Sequence, residues 1–203
     1  MSDHQTKLRI FEAAEAIMLE KGFHAVGLNE ILTAVNVPKG SFYHHFKSKE
    51  QFGVELLEHY MSDALAYKKQ VLLSSVPEAD PLQRLLTYME MRVSKSCESE
   101  GRCPCLIVKL ASEVSGFSDP MREVLVRGAQ DSINIIADLL REGLEKGSIA
   151  AHVDPQTSAE FILDLWTGAT QRAATQRSTA PFRSAIHFIR SSLQNPASFN
   201  SAR

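Results

Sequence analysis

Thirty residues near the start of this chain, Lys21 to Glu50, constrain its fold more than any other feature. Leading into them, Leu8, Phe11, Ala14, Ile17 and Met18 recur at three- and four-residue steps, the apolar stripe of a helix. Gly22 follows where a helix end favours positive φ. Leu28, Ile31, Leu32 and Val35 mark a second, short helix, and Asn36 after them tolerates a left-handed turn. Pro38 fits the first turn of a third helix, which the pattern carries to His44 or His45. Phe42 and Phe46 lie four apart and anchor that helix to a core. Two short helices joined by a tight turn, the second polar on its outer side, form the grammar of a helix-turn-helix, whose second helix enters the DNA major groove.

The outward residues of the third helix suit that task. Gly40 lets the backbone approach a phosphate closely. Lys39, Lys47 and Lys49 supply charge for a phosphate backbone, and Ser41, Tyr43 and His44 supply hydrogen bonds to phosphates or base edges. An exposed lysine taken alone is usually only a solvated charge; the ordered set carries the reading. The whole chain has a formal net charge of -2, yet Asn36 to Lys49 holds three lysines and no acidic residue. The positive charge is local, as in a DNA reader rather than a DNA coat.

At 203 residues the chain has room for one small domain and one larger. No apolar run approaches the roughly eighteen residues of a membrane span, and the polar start, MSDHQTKLRI, lacks a signal-peptide core. The expected setting is therefore the cytoplasm, with no membrane partner. Three cysteines in a reducing compartment are more often free, reactive or metal-bound than disulfide-bonded. Beyond Glu50 the pattern stays helical. One long helix ends before Pro77, and others start at Pro81, Pro104, Asp119-Pro120, Asp154-Pro155 and Pro181. The expectation is an all-α chain of about nine helices: a three-helix DNA-binding domain over residues 1–50 and a helical domain over 51–203.

The string Val37-x-Lys39-Gly40-Ser41-Phe42-Tyr43-His44-His45-Phe46-x-Ser48-Lys49-Glu50, with Gly22-Phe23 and Ile31, resembles the DNA-binding domain of the TetR family of bacterial repressors. The resemblance implies DNA contacts by Lys39, Ser41, Tyr43, His44 and Lys49. It implies an effector-binding and dimerisation role for the remainder, whose last two helices would pair with their copies as a four-helix bundle. Three positions depart from the family pattern: Gly27 and Pro38 stand where Ser or Thr is usual, and Asn36 where Gly is usual.

Cys105 is the second feature of note. With a helix opening at Pro104, Leu106, Ile107, Leu110 and Val114 share one side, while Cys105, Lys109 and Ser112 share the other. A first-turn position and a lysine one turn on both favour a thiolate, the form that attacks electrophiles and peroxides. Cys103 and Arg102 lie beside it, and Glu98 and Glu100 oppose the effect. A small residue with no signalling role fits the physics slightly better on its own. The string Cys105-Leu106-x-Val108-Lys109-Leu110-x-x-Glu113-Val114 resembles the NemR-related branch of the TetR family, which implies electrophile or redox sensing at Cys105. Some sensors of that type carry a Lys where this chain has Ala174.

Other readings remain open at this level. Tyr88, Met89, Phe117 and Trp166 either line a pocket for an apolar ligand or belong to the core. Cys97 with Cys103-x-Cys105 is a weak signal for a soft metal, and no metal or cofactor is expected. A thiol enzyme lacks a His/Asp partner pattern, so catalysis is not expected. A helical interaction protein that never meets DNA is a further alternative. The expected partners are operator DNA, a small-molecule effector and a second copy of the chain.

Overall fold

The sequence periodicities become nine α-helices among the described residues of a computed structural model, which are 3–73, 80–98 and 105–194. In chain order they are α1 (Asp3–Lys21), α2 (Leu28–Ala34), α3 (Lys39–His45), α4 (Lys49–Leu73), α5 (Pro81–Glu98), α6 (Leu106–Val114), α7 (Asp119–Glu145), α8 (Pro155–Gln176) and α9 (Ala180–Leu193). The described residues include no strand. Gly22 and Asn36 have φ of 84° and 53°, the positive values expected for the turns that close α1 and α2. Asp154 caps α8 as its position before Pro155 predicts, its carboxylate accepting from the Thr157 N–H at 2.8 Å. That hydrogen bond holds the Asp154 carboxyl below its ordinary pKa.

Two helix starts differ from expectation by one or two residues. Pro38 is the N-cap of α3 rather than part of its first turn, because its ψ of 145° is extended. Cys105, with φ −121° and ψ 109°, is likewise the N-cap of α6, which begins at Leu106. The predicted start at Pro104 lies outside the described residues.

The chain packs as two units, Met1–Ser62 with Cys105–Arg127, and Asp63–Pro104 with Gly128–Arg203. The first therefore draws on sequence beyond the helix-turn-helix. Its core joins Phe11, Phe42, Phe46 and Phe52 to Leu106, Leu110 and Val114 of α6 and to Met121 of α7. The phenylalanine rings pack at centroid distances from 4.9 to 5.9 Å. The second unit centres on α5, α8, α9 and the later part of α7, with Leu85, Met89, Leu139, Leu140, Phe182 and Ile189 buried together.

Within the second unit Arg84 is only 8% exposed and pairs with Glu142, which also accepts from Lys146 at 2.7 Å. Removing one partner of a buried ion pair strands the other charge. Glu142→Gln keeps an oxygen for Arg84 but removes the charge, and Glu142 is 31% exposed, so it is expected to destabilise this unit by about 1–2 kcal/mol. Hydrogen bonds from Arg84, then Lys146, hold the Glu142 carboxyl below its ordinary pKa. The folded state thus prefers the ionised form, so this stabilisation is complete above the ordinary carboxylate range. It is lost as pH falls through the depressed value. Urea titrations from neutral pH down to about 3 should show a shallower acid loss in the Gln variant than in the parent chain.

Candidate nucleic-acid interface

The third helix is built to be held from behind and open in front. Phe42 and Phe46 are fully buried. Lys39, Gly40, His44 and Lys47 are exposed, Tyr43 is 54% exposed, and Ser41 is half-buried. The Tyr43 ring meets Phe42 edge-on at 5.5 Å, leaving its outer end in solvent. A Cβ on Gly40 would meet nothing within 4 Å, so its openness is toward solvent and any ligand there. The α2 N-cap, Gly27, makes no side-chain capping bond.

Lys49 sits differently from the other lysines. Its ammonium donates to the carbonyl oxygens of Phe23 (2.9 Å) and Val26 (2.7 Å) and lies 4.8 Å from the centre of the Phe23 ring. Burial pushes its pKa down. Two of its three N–H donors thus serve the turn between α1 and α2. The N–H groups of the same turn are taken by Glu113 of α6. One carboxylate oxygen of Glu113 accepts from Phe23 N–H at 2.9 Å and His24 N–H at 3.3 Å. Sequence reasoning assigned Glu113 no role; a carboxylate ninety positions from its partner leaves no local signal. Two more such ties hold this unit. The Tyr60 hydroxyl accepts from Leu106 N–H at 3.3 Å at the start of α6. Ser118 accepts from Met121 N–H and donates to Glu50 at 2.7 Å.

Cys105 is half-buried at the N-cap of α6, and Lys109, one turn on, is half-buried as well. The Lys109 backbone N–H donates to the Cys105 carbonyl at 3.0 Å, which closes the first turn. The helix turns Leu106, Leu110 and Val114 into the core as its periodicity predicts, while Ile107 is only half-buried. Cys103 and the Cys97 side chain lie outside the described residues, and no metal-ligating cluster occurs among the described ones.

Of the four candidate pocket residues, Tyr88, Met89 and Trp166 lie in the second unit and Phe117 in the first. Met89 is buried in the second core. Trp166 packs on Phe182 at 4.9 Å, and Tyr88 packs beside Tyr67 at 6.3 Å. Phe117 belongs to the first unit, where it stacks on Phe23 at 5.6 Å and meets His24 at 4.4 Å. A groove of about 430 Å³ in the second unit is instead lined largely by polar side chains, including Glu90, Ser94, Arg183, His187 and Arg190.

Comparison with known proteins agrees with this geometry. Residues 10–56 match the family profile described as bacterial regulatory proteins, tetR family. Residues 81–189 match the tetracyclin repressor-like C-terminal domain. The chain is 33% identical over 197 residues to the HTH-type transcriptional repressor NemR of Escherichia coli (strain K12), spanning 97% of this chain and 98% of that protein. It is 31% identical over 183 residues to the repressor DhaR of Mycobacterium sp. (strain GP1), spanning 89% of this chain and 88% of that protein. The crystal structure of the reduced form of E. coli NemR superposes with a TM-score of 0.85 at 32% identity, over 95% of this chain and 99% of that one.

Proposed function

The chain belongs to the TetR family of DNA-binding transcriptional regulators, and from that premise we propose that it is a dimeric repressor whose operator grip is released by an electrophile or oxidant acting at Cys105. The observation that carries the DNA-reading part is the division of α3 between a buried pair, Phe42 and Phe46, and an exposed set of Lys39, Gly40, Tyr43 and His44. Lys39 and Lys47 neutralise phosphates, Gly40 allows close approach, and Ser41, Tyr43 and His44 bond to phosphates or base edges. Lys49 supports the interface through the turn it holds. Reading DNA places the protein with the chromosome, in the cytoplasm.

Two-fold pairing supplies the second recognition helix, set about one duplex turn from the first. Phe161 of α8 and Phe188 of α9 support it, being 57% and 51% exposed with ring centres 6.1 Å apart. Neighbouring exposed aromatics are the composition of an interface core.

Cys105 is favoured as the sensor because its helix packs in the same unit as the DNA reader. An α,β-unsaturated carbonyl would form an S–C bond to the thiolate, the displaced π pair taking up a proton. The added bulk at the N-cap favours a state whose α3 is misplaced for the operator. NemR, whose reduced form is named as such, is a relative across nearly the whole chain, which agrees with a redox-responsive thiol. Catalysis is the weaker reading, since the relatives are named as repressors and regulators.

The test is operator binding before and after treatment with an electrophile, for the parent chain and for Cys105→Ser. The parent is expected to lose affinity by about tenfold or more, a coupling of roughly 1–3 kcal/mol, and the Ser variant to keep it. Equal release from both removes the thiol switch and leaves a reversible ligand as inducer.

A further inference from the structure

The turn between α1 and α2 is gripped on both sides of its backbone. The Lys49 ammonium takes its carbonyls at Phe23 and Val26, and the Glu113 carboxylate takes its N–H groups at Phe23 and His24. Those N–H groups lie in the turn after α1, outside any helix ladder, and the Phe23 N–H is part-buried, so a side-chain acceptor there supplies the partner that a ladder would. Gly22 leaves the space that the carboxylate fills, since a Cβ at that position would overlap Glu113. The rings of Phe23, His24 and Phe117 pack beside it. Glu113 also lies near the far end of α6 from Cys105, about 12 Å away at 1.5 Å per residue.

We propose that Glu113 is a positioning residue for operator recognition: by holding the Phe23 and His24 N–H groups it sets the turn from which α2 and α3 are presented. The proposal rests on the DNA-reading function. It assigns Glu113 no contact with DNA. What matters is an acceptor oxygen at the reach of a Glu side chain, on a helix buried in the same core as Phe42.

The experiment compares the parent chain with Glu113→Gln and Glu113→Asp. Each is measured for helicity, for amide hydrogen exchange at Phe23 and His24, and for affinity toward an operator fragment bound by the parent. Gln keeps an oxygen at the same reach, and is expected to hold both exchange rate and affinity within about threefold of the parent. Asp keeps the charge but draws it back by one methylene. It is expected to speed both amides and to weaken operator binding, each by about tenfold or more, at unchanged helicity. Asp binding the operator as tightly as the parent overturns the proposal, and so does Gln binding as weakly as Asp. In the parent chain both amides should be protected like helical ones; exchange at open-coil rates overturns it however the variants fold. Failure of the parent itself to bind any DNA fragment strikes the DNA-reading function instead, so the two failures are distinct.

Discussion

Replacing Lys39 and Tyr43 together by alanine is expected to cut operator affinity by about a hundredfold or more, while the helical content stays unchanged. A lost phosphate or base contact costs roughly 1–3 kcal/mol, so two of them reach the 2.8 kcal/mol that corresponds to a hundredfold. Neither side chain carries the fold. Lys39 is exposed, and Tyr43 is 54% exposed with only an edge contact to Phe42, which stays buried beneath it. Losing the lysine should also lower the slope of log affinity against log salt by about 1 per recognition helix, because one fewer counterion is released. Titrating a bound DNA fragment at several salt concentrations checks both quantities. Undiminished affinity from a folded double variant would mean that α3 does not face the duplex.

The Phe161→Asp chain is expected to sediment as a monomer at concentrations where the parent is a dimer. Two-fold symmetry doubles the substitution, since an isologous interface presents the same patch twice. Each copy loses the burial of one phenylalanine, about 1.5–3 kcal/mol, and brings a carboxylate that must be desolvated against its neighbour. Together these raise the dimer dissociation constant by about a thousandfold or more. A monomer grips only one half-site, so its operator affinity falls steeply as the advantage of a tethered second contact disappears. Phe161 is 57% exposed, which leaves the second unit's own core intact. Sedimentation velocity and operator titration on one preparation separate the two effects. A persistent dimer would place the pairing surface away from Phe161 and Phe188.

Much of this was legible in the residues. The three- and four-residue steps of Leu, Ile and Phe give the helices because burial of one face is decided locally, by which side chains a turn of helix brings together. Phe42 and Phe46 announced themselves as anchors in the same way, and both are fully buried. Asp154 and Pro155 marked a helix start because capping also acts over three residues. What escaped were groups whose partners are distant in sequence. Lys49 reads in the sequence as a charge for phosphate, yet its ammonium spends two donors on carbonyls more than twenty positions earlier. Glu113 and Tyr60 act across ninety and forty-six positions. Tyr88, Met89, Phe117 and Trp166 pose the reverse difficulty. Large apolar residues at helical spacing look alike whether they line a cavity or fill a core, and Met89 fills a core. The start of α3 falls one residue after Pro38 because that proline holds an extended ψ of 145° and so caps the helix.

The unit that carries the DNA-reading helices takes its last residues from near position 127. During synthesis the N-terminal helices therefore leave the ribosome well before Phe117, which stacks on Phe23, and before Leu106, Leu110 and Val114 of the same core have been made. At about 5–20 residues per second, several seconds pass before that core can close.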